Sequence, residues 1–224
     1  MASDPIGKAQ EQLFTDRLSA REKYSALIVG RPGLAALLKY ELVVMLAQSC
    51  PGAVGLALRK ALYPTLLGSC GRNVVFGQNV VLRHPHKINI ADNVVIDDNC
   101  LLDAKGDSNR GIRIGSGVFI GRNSILSCKN GDIELAEGAN VGFNCEVFSA
   151  SRVTIGPSAL IAAYCYVIGG DHDFSDPDKP VLEQSRRSAG VAIGAGSVVR
   201  ADVAAHAIAV GIPARPVSSR TPSE

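Results

Sequence analysis

Residues 114–125 read IGSGVFIGRNSI, which is two consecutive phrases of six residues. Each phrase begins with an aliphatic residue followed by glycine, and a small or β-branched residue comes four places after the aliphatic. The phrase returns, with the glycine sometimes replaced by alanine, at Leu135, Val141, Ile155 and Ile161. The small residues four places after these aliphatic residues are Ala139, Cys145, Ala159 and Cys165. This stretch of the chain is therefore built from a six-residue repeat.

The six-residue period decides the fold class. A helix would repeat its apolar positions every three or four residues, and a simple strand alternates without needing a small residue after each aliphatic. Three short strands per coil explain the phrase, because the aliphatic side chain points into a narrow prism and the small residue turns the corner. Successive coils then stack and bury a continuous core. The sequence predicts a mainly β protein folded as a parallel β-helix.

Polar runs interrupt the hexads without changing their register. The runs at 103–110, 129–132 and 149–152 lack aliphatic periodicity, and each lies between two regular phrases. We interpret them as insertions at corners of the prism. In the less regular first coil, Val75 and Phe76 are expected to face the core.

The hexads, the interrupting segment 168–174 (IGGDHDF) and the ending 209–215 (AVGIPAR) resemble the hexapeptide-repeat acyltransferases. Within that family the chain is similar to the bacterial sugar and exopolysaccharide O-acetyltransferases. The resemblance implies a left-handed β-helix and transfer of an acetyl group from acetyl-CoA to a sugar or polysaccharide hydroxyl. It also implies a homotrimer with active sites between the subunits, and no metal.

Composition indicates one solenoid with a helical preface. The chain has 224 residues, of which 46% are hydrophobic and 20% charged, enough for one good core. We predict a helical segment at 1–70, a β-helix domain at 71–215 with a loop at 171–190, and a polar tail at 216–224. A net charge of +2 is too small to indicate a nucleic-acid partner.

The six cysteines do not indicate a disulfide framework, because the chain is far longer than such scaffolds. Cys100, Cys145 and Cys165 occupy the small-residue position of a hexad, which predicts buried free thiols in one column with Ser124. The N-terminus lacks the pattern of a signal peptide. We therefore expect a cytoplasmic protein.

Before the solenoid, apolar periodicity predicts helices near residues 15–29, 34–46 and 54–66, the first capped by Thr15 or Asp16. These helices can cap the open end of the solenoid and so cover the exposed strand edges of the first coil. Alternatively, a leucine-rich face can lie on the inner leaflet, giving peripheral membrane contact. A membrane-spanning helix is not expected, since the uncharged run 42–58 contains Pro51 and two glycines.

Acetyl transfer to a hydroxyl needs a base that removes the hydroxyl proton. The sequence offers His84, His86, His172 and His206, and His172 follows a pair of glycines where a hexad ends. The resemblance implies that His172 is the catalytic general base. A loop histidine paired with Asp171 or Asp173 is the structural alternative.

The resemblance also supplies candidate binding residues. Asn144 matches a position that contacts the acceptor sugar, although an asparagine at a solenoid corner explains it as well, and Asp171 and Asp173 are candidates for the same role. Candidate residues for binding the donor cofactor, acetyl-CoA, are Gly194, Ala195, Ser197, Arg200 and Arg215.

Two alternatives remain beside the acetyltransferase. About one coil of hexads is missing between the loop and the PAR ending, compared with the resembling enzymes. A non-catalytic hexapeptide trimer that has lost its donor groove is therefore one alternative. The other is a zinc carbonic anhydrase-like protein, for which His84 and His86 supply two of the three histidines needed.

Overall fold

The structure, a computed structural model, describes residues 18–172, 186–187, 198–199 and 207–219. It begins with the predicted helices. Their bounds are α1 Ala20–Tyr24, continued by a π-helical turn Ser25–Val29, then α2 Leu34–Ala47 and α3 Gly52–Leu62, followed by 3-10 turns at Tyr63–Thr65 and later at Pro85–Lys87. The hydroxyl of Ser19 caps α1 in a capping box with Glu22. The predicted capping residues Thr15 and Asp16 lie outside the described residues.

Three parallel sheets form the walls of the solenoid. Sheet A contains β1 Ser69–Cys70, β4 Ile88–Ile90, β7 Ile112–Ile114, β10 Ile133–Leu135 and β13 Val153–Ile155. Sheet B contains β2 Val75–Phe76, β5 Val95–Ile96, β8 Phe119–Ile120, β11 Asn140–Val141 and β14 Leu160–Ile161. Sheet C contains β3 Val81–Arg83, β6 Leu101–Asp103, β9 Ile125–Cys128, β12 Glu146–Ser149, β15 Tyr166–Gly169 and β18 Val198–Val199. Two hairpins complete the described strands: β16 Asp171–His172 with β17 Arg186–Arg187, and β19 Ala207–Val210 with β20 Arg215–Ser219.

The register shows why the hexads specify this fold. Leu102, Leu126, Val147 and Val167 occupy equivalent places in successive rungs of sheet C, and each side chain is 0% exposed. Identical spacing in every coil thus stacks aliphatic side chains into one core. The predicted fold class is confirmed as a mainly β parallel solenoid of about five coils with N-terminal helices.

The small-residue column is also as predicted. Cys100, Ser124, Cys145 and Cys165 are all at most 2% exposed, and all six cysteines are free thiols. Each of the first three side chains donates a hydrogen bond to a carbonyl of the next coil. The pairs are Cys100 with Gly121 at 3.2 Å, Ser124 with Gly142 at 3.0 Å and Cys145 with Ala162 at 3.1 Å.

Arg59 attaches the helices to the first coil. Its guanidinium is 1% exposed and donates to the carbonyls of Phe76 (2.9 Å), Ala47 (2.9 Å) and Cys50 (2.7 Å). Tyr40 adds a hydrogen bond from its hydroxyl to a backbone carbonyl of β3. The helices therefore cover the first coil, as the capping interpretation predicts. None of the helices in the described ranges is long and apolar enough to cross a membrane.

Helix α2 is apolar on nearly every side, yet it buries only one side. The buried residues are Tyr40, Val43 and Ala47. Most of the leucines that predict this helix are exposed instead, because the first coil contacts only the side that carries Tyr40.

Candidate active site

All the predicted corner insertions lie at one corner of the prism, where sheet C passes into sheet A. We call it the loop corner. It consists of residues 84–87, 104–111, 129–132 and 150–152 in the first four coils, and of residues 170–172 in the fifth. His172 is therefore at the top of a column of polar loops.

Hydrogen bonds connect the first three loops of this corner to one another. The Lys87 ammonium donates to the Gly106 carbonyl (2.6 Å) and to the Asn109 side-chain oxygen (3.0 Å). The Asn109 amide donates in turn to the carbonyl of Gly131 (3.0 Å). One oxygen of Asp132 accepts the backbone amides of residues 110 and 111 at 2.6 and 2.9 Å. These three loops thus form one connected surface.

Asp103 is a buried carboxylate at the start of the second loop of this column. It is 8% exposed, and one of its oxygens lies 3.7 Å from an Arg83 nitrogen. Burial raises the pKa of Asp103 and lowers the pKa of the neighbouring Lys105 ammonium. Three rungs, about 14 Å, separate this group from β15. Nothing in the hexad pattern indicates it, because the sequence shows only an insertion there.

Packing against the loop below explains the two glycines before Asp171. The Gly169 carbonyl accepts the amides of Ala150 and Ser151, each at 2.8 Å. A β-carbon at Gly169 would come within 2.3 Å of a Val153 methyl group. Gly170 has a φ of +86°, in the region that favours glycine. The pair therefore lets the chain leave the solenoid close to the 150–152 loop.

The backbone of His172 lies on the stem of a hairpin. In the antiparallel pair β16–β17, Asp171 is opposite Arg187 and His172 is opposite Arg186. Residues 186 and 187 therefore lie beside the point where the chain leaves the solenoid. Asp173 and His206 lie outside the described residues, as do the four candidate donor-binding residues Gly194, Ala195, Ser197 and Arg200.

Asn144 is at a different corner. It has a φ of 55° and sits between sheets B and C, where its side-chain oxygen accepts a hydrogen bond from the Asn123 amide at 3.1 Å. The four residues of a sheet C strand, about 13 Å, separate this corner from the loop corner. A single chain therefore does not bring Asn144 and His172 together.

The late hexads partly continue the solenoid. Val198 and Val199 pair with Tyr166 and Val167 of β15, which confirms that this phrase stacks on the fifth coil. Arg215 is exposed and begins β20, where it pairs with Val210. The ending 209–215 is thus part of a hairpin.

The histidine pair of the first coil has a structural role. The His84 ring lies with Nε2 2.9 Å from the Ala26 carbonyl, so that nitrogen carries the proton. Burial, together with the charge of Arg31, lowers the pKa of His86 to about 4. Within the described ranges no third histidine, cysteine or carboxylate completes a metal site with this pair.

A cavity of about 590 Å³ lies between the N-terminal segment and the first two coils. Arg21, Arg31, Lys87 and Asp107 are among the residues that line it. It is separated from the fifth coil by the height of the solenoid, so it is not the site that the sequence predicts around His172.

Comparison with known proteins identifies relatives, although no family model matches the chain. The chain is 31% identical over 162 residues to dTDP-4-amino-4,6-dideoxy-D-glucose acyltransferase of Escherichia coli, covering 68% of this chain and 82% of that protein. A probable acetyltransferase of Mycobacterium tuberculosis is 24% identical over 133 residues, 49% of this chain and 44% of that protein.

Solved structures share the fold. A hexapeptide-repeat acetyltransferase from Vibrio cholerae with acetyl coenzyme A has a TM-score of 0.56 and 21% identity, covering 98% of each chain. An N-acyltransferase from Bacillus cereus with dTDP and coenzyme A has a TM-score of 0.55 and 23% identity, covering 78% of this chain and 92% of that one. With the E. coli relative matched over most of its length and the stacked hexads in place, the chain belongs to the hexapeptide-repeat acyltransferases.

Proposed function

We propose that this enzyme transfers an acetyl group from acetyl-CoA to a nucleotide-linked sugar. The observation that carries the proposal is the 31% identity to the E. coli enzyme, whose name gives a dTDP-linked amino sugar as its acceptor. The resemblance seen in the sequence favours a hydroxyl acceptor, and the relative favours an amine. Both are nucleophiles that attack the same thioester carbonyl.

His172 would serve as the general base. It removes a proton from the acceptor hydroxyl or amine as that atom attacks the thioester. A carbon–oxygen or carbon–nitrogen bond forms, the carbon–sulfur bond breaks, and the proton leaves with the coenzyme A thiol. Asp171, Asp173 and Asn144 would bind the acceptor. Arg215, with Arg200, would contact the phosphates of coenzyme A, since a guanidinium binds phosphate oxygens in a fixed geometry.

We further propose a homotrimer in which neighbouring subunits complete one site. Asn144 and His172 lie at different corners of one chain, so a neighbour must supply one of them if both contact the acceptor. Beside Asn144, the aromatic rings of Phe143 and Tyr164 are 40% and 70% exposed. Exposed aromatic side chains of this kind are typical of a surface that a second subunit covers.

The acceptor is tested with purified protein, acetyl-CoA and three sugars: dTDP-4-amino-4,6-dideoxy-D-glucose, dTDP-glucose and a free galactoside. Release of the coenzyme A thiol is followed together with the mass of the product. We expect product from a nucleotide-linked sugar, and the first two sugars separate amine from hydroxyl transfer. Reaction with the galactoside alone would contradict the nucleotide-linked acceptor, and thiol release with none of them would favour a different acceptor class.

The shared site is tested by mixing subunits. Asn144→Ala and His172→Ala are each expected to be inactive, and co-refolding the two should restore activity, because some hybrid trimers contain one intact site. Light scattering gives the subunit number. A monomer, or two inactive variants that stay inactive when mixed as trimers, would contradict the shared site.

A further inference from the structure

Helix α2 presents an apolar face that the solenoid does not cover. Its side chains are Leu34, Leu38, Leu42, Met45 and Leu46, which are 53%, 59%, 54%, 76% and 45% exposed. At the angular spacing of an α-helix these five positions span a sector of about 120°. The opposite side holds the buried residues of the helix. We call the five side chains the apolar face of α2.

The charged residues beside this face are directed away from it. The Lys39 ammonium donates to the carbonyl of Thr65, and a Glu41 oxygen accepts the hydroxyl of Tyr24 at 2.6 Å. Both side chains are therefore held against other parts of the chain, and neither covers the leucines. An exposed apolar surface of this kind in a folded protein is typically a binding surface.

The following helix also exposes apolar side chains. In α3, Val54 is 67% exposed and Leu56 is 45% exposed. Gly52, Ala53 and Ala57 on the same helix are also exposed and carry no charge. The two helices thus expose considerably more apolar surface than the isolated hydrophobic residues that any surface carries.

The helical segment is basic as well as apolar. Residues 18–68 contain six basic and two acidic side chains. Arg59 is buried against backbone carbonyls, so the other five basic and two acidic side chains leave a net charge of +3, whereas the whole chain carries +2. Arg31, which precedes the apolar face, and Lys60 of α3 are both exposed. Apolar side chains combined with exposed cations match the surface of an anionic bilayer, in which acyl chains lie beneath negative headgroups.

We propose that the apolar face of α2 binds an anionic lipid bilayer and lies in the plane of the membrane. A helix of 14 residues is about 21 Å long, shorter than the hydrocarbon core of about 30 Å, so it rests at the interface. A second copy of this chain fits less well. A two-fold contact through this face would bring two positively charged segments together, which is unfavourable.

The test uses the full chain and sedimentation with vesicles. Vesicles of phosphatidylcholine with about 30% phosphatidylglycerol are compared with pure phosphatidylcholine at about 0.1 M salt. We expect binding to the anionic vesicles and much weaker binding to the neutral ones. The double variant Leu38→Ser/Met45→Ser should lower the partition coefficient by about tenfold or more, since two side chains no longer enter the acyl region. Arg31→Gln should lower it about fivefold.

A matched control is available on the solenoid. Leu160 is 72% exposed but lies in β14, far from the helices, so Leu160→Ser should leave vesicle binding unchanged. Circular dichroism confirms that each variant is folded. Absence of vesicle binding, or binding that the double variant leaves intact, would overturn the proposal. The proposal would also be overturned if sedimentation velocity showed that the double variant loses only its self-association, because the apolar face of α2 would then bind a second copy of this chain. Vesicle binding does not depend on acyl transfer, so it is tested separately from the proposed function.

Discussion

Replacing Arg59 should loosen the attachment of the helical cap to the first coil, because its buried guanidinium bonds to three backbone carbonyls. In Arg59→Met the three carbonyls that now accept from the guanidinium lose their donors. A buried acceptor without a partner costs about 1–3 kcal/mol. Two of the hydrogen bonds are buried and the one to Cys50 is partly buried, so water can replace that donor. The methionine side chain carries no charge, so the variant no longer has the cost of burying a cation, and this offsets part of the loss. We expect a loss of about 3–5 kcal/mol in the free energy of unfolding.

Urea unfolding followed by circular dichroism measures this loss, and Arg59→Lys is the matched variant. Lysine keeps the charge but cannot donate to three carbonyls in different directions. The free energy of unfolding of Arg59→Lys should therefore fall by about half as much as that of Arg59→Met. Hydrogen exchange then identifies the affected region, because amides of α2 and α3 should lose protection before those of the sheets. A methionine variant within about 0.5 kcal/mol of the wild type would refute this account of how the helices are attached.

Four further outcomes are expected. His172→Ala should lower acetyl transfer by about a hundredfold or more while the subunit number stays the same, since a general base contributes that much; full turnover with a working acceptor would contradict the assignment. Arg215→Ala should weaken coenzyme A binding in calorimetry through loss of a phosphate contact. The free energy of unfolding should fall as the pH drops from 6.5 towards 4, because the depressed pKa of His86 lets the unfolded state bind the proton first. The midpoint of urea unfolding measures this fall, which should be smaller in His86→Gln. Because burial raises the pKa of Cys100 to about 11 and of Cys128 to about 12, neither thiol should be alkylated in the native protein, whereas urea should release both.

The solenoid is predictable from the sequence because its information is local. Each hexad specifies its own corner and its own inward position, so the repeat alone predicts the column of Cys100, Ser124 and Cys145. The prediction that Val75 faces the core of the first coil is wrong. Val75 is 41% exposed, whereas Val74 is 4% exposed and faces the core instead. Side chains alternate between the two faces of a strand, so a shift of one residue along β2 exchanges the inward and outward positions.

The cap is less predictable, because its contacts join distant segments. Arg59 has the sequence context of a solvated cation in an apolar helix, and only the fold brings three carbonyls around it. Helix α2 is apolar on almost every side, so its sequence does not indicate which face is buried. For the site, the family resemblance predicts positions along the chain and no distances between them. Chemistry between Asn144 and His172 depends on contacts between subunits, which one chain does not specify.

The loop corner is also the place where the length and sequence of this chain can vary without disturbing the solenoid. At the corner between sheets B and C the next coil leaves no space beside Gly142, where a β-carbon would come within 2.7 Å of the Ala163 amide nitrogen. At the loop corner, segments of different length occur in successive coils while the rungs on either side stay in register. Loops can therefore be lengthened, shortened or exchanged there, one coil at a time, and the scaffold does not need to be redesigned. Relatives with different acceptors can arise by that route, and an engineer can follow it by grafting a single loop.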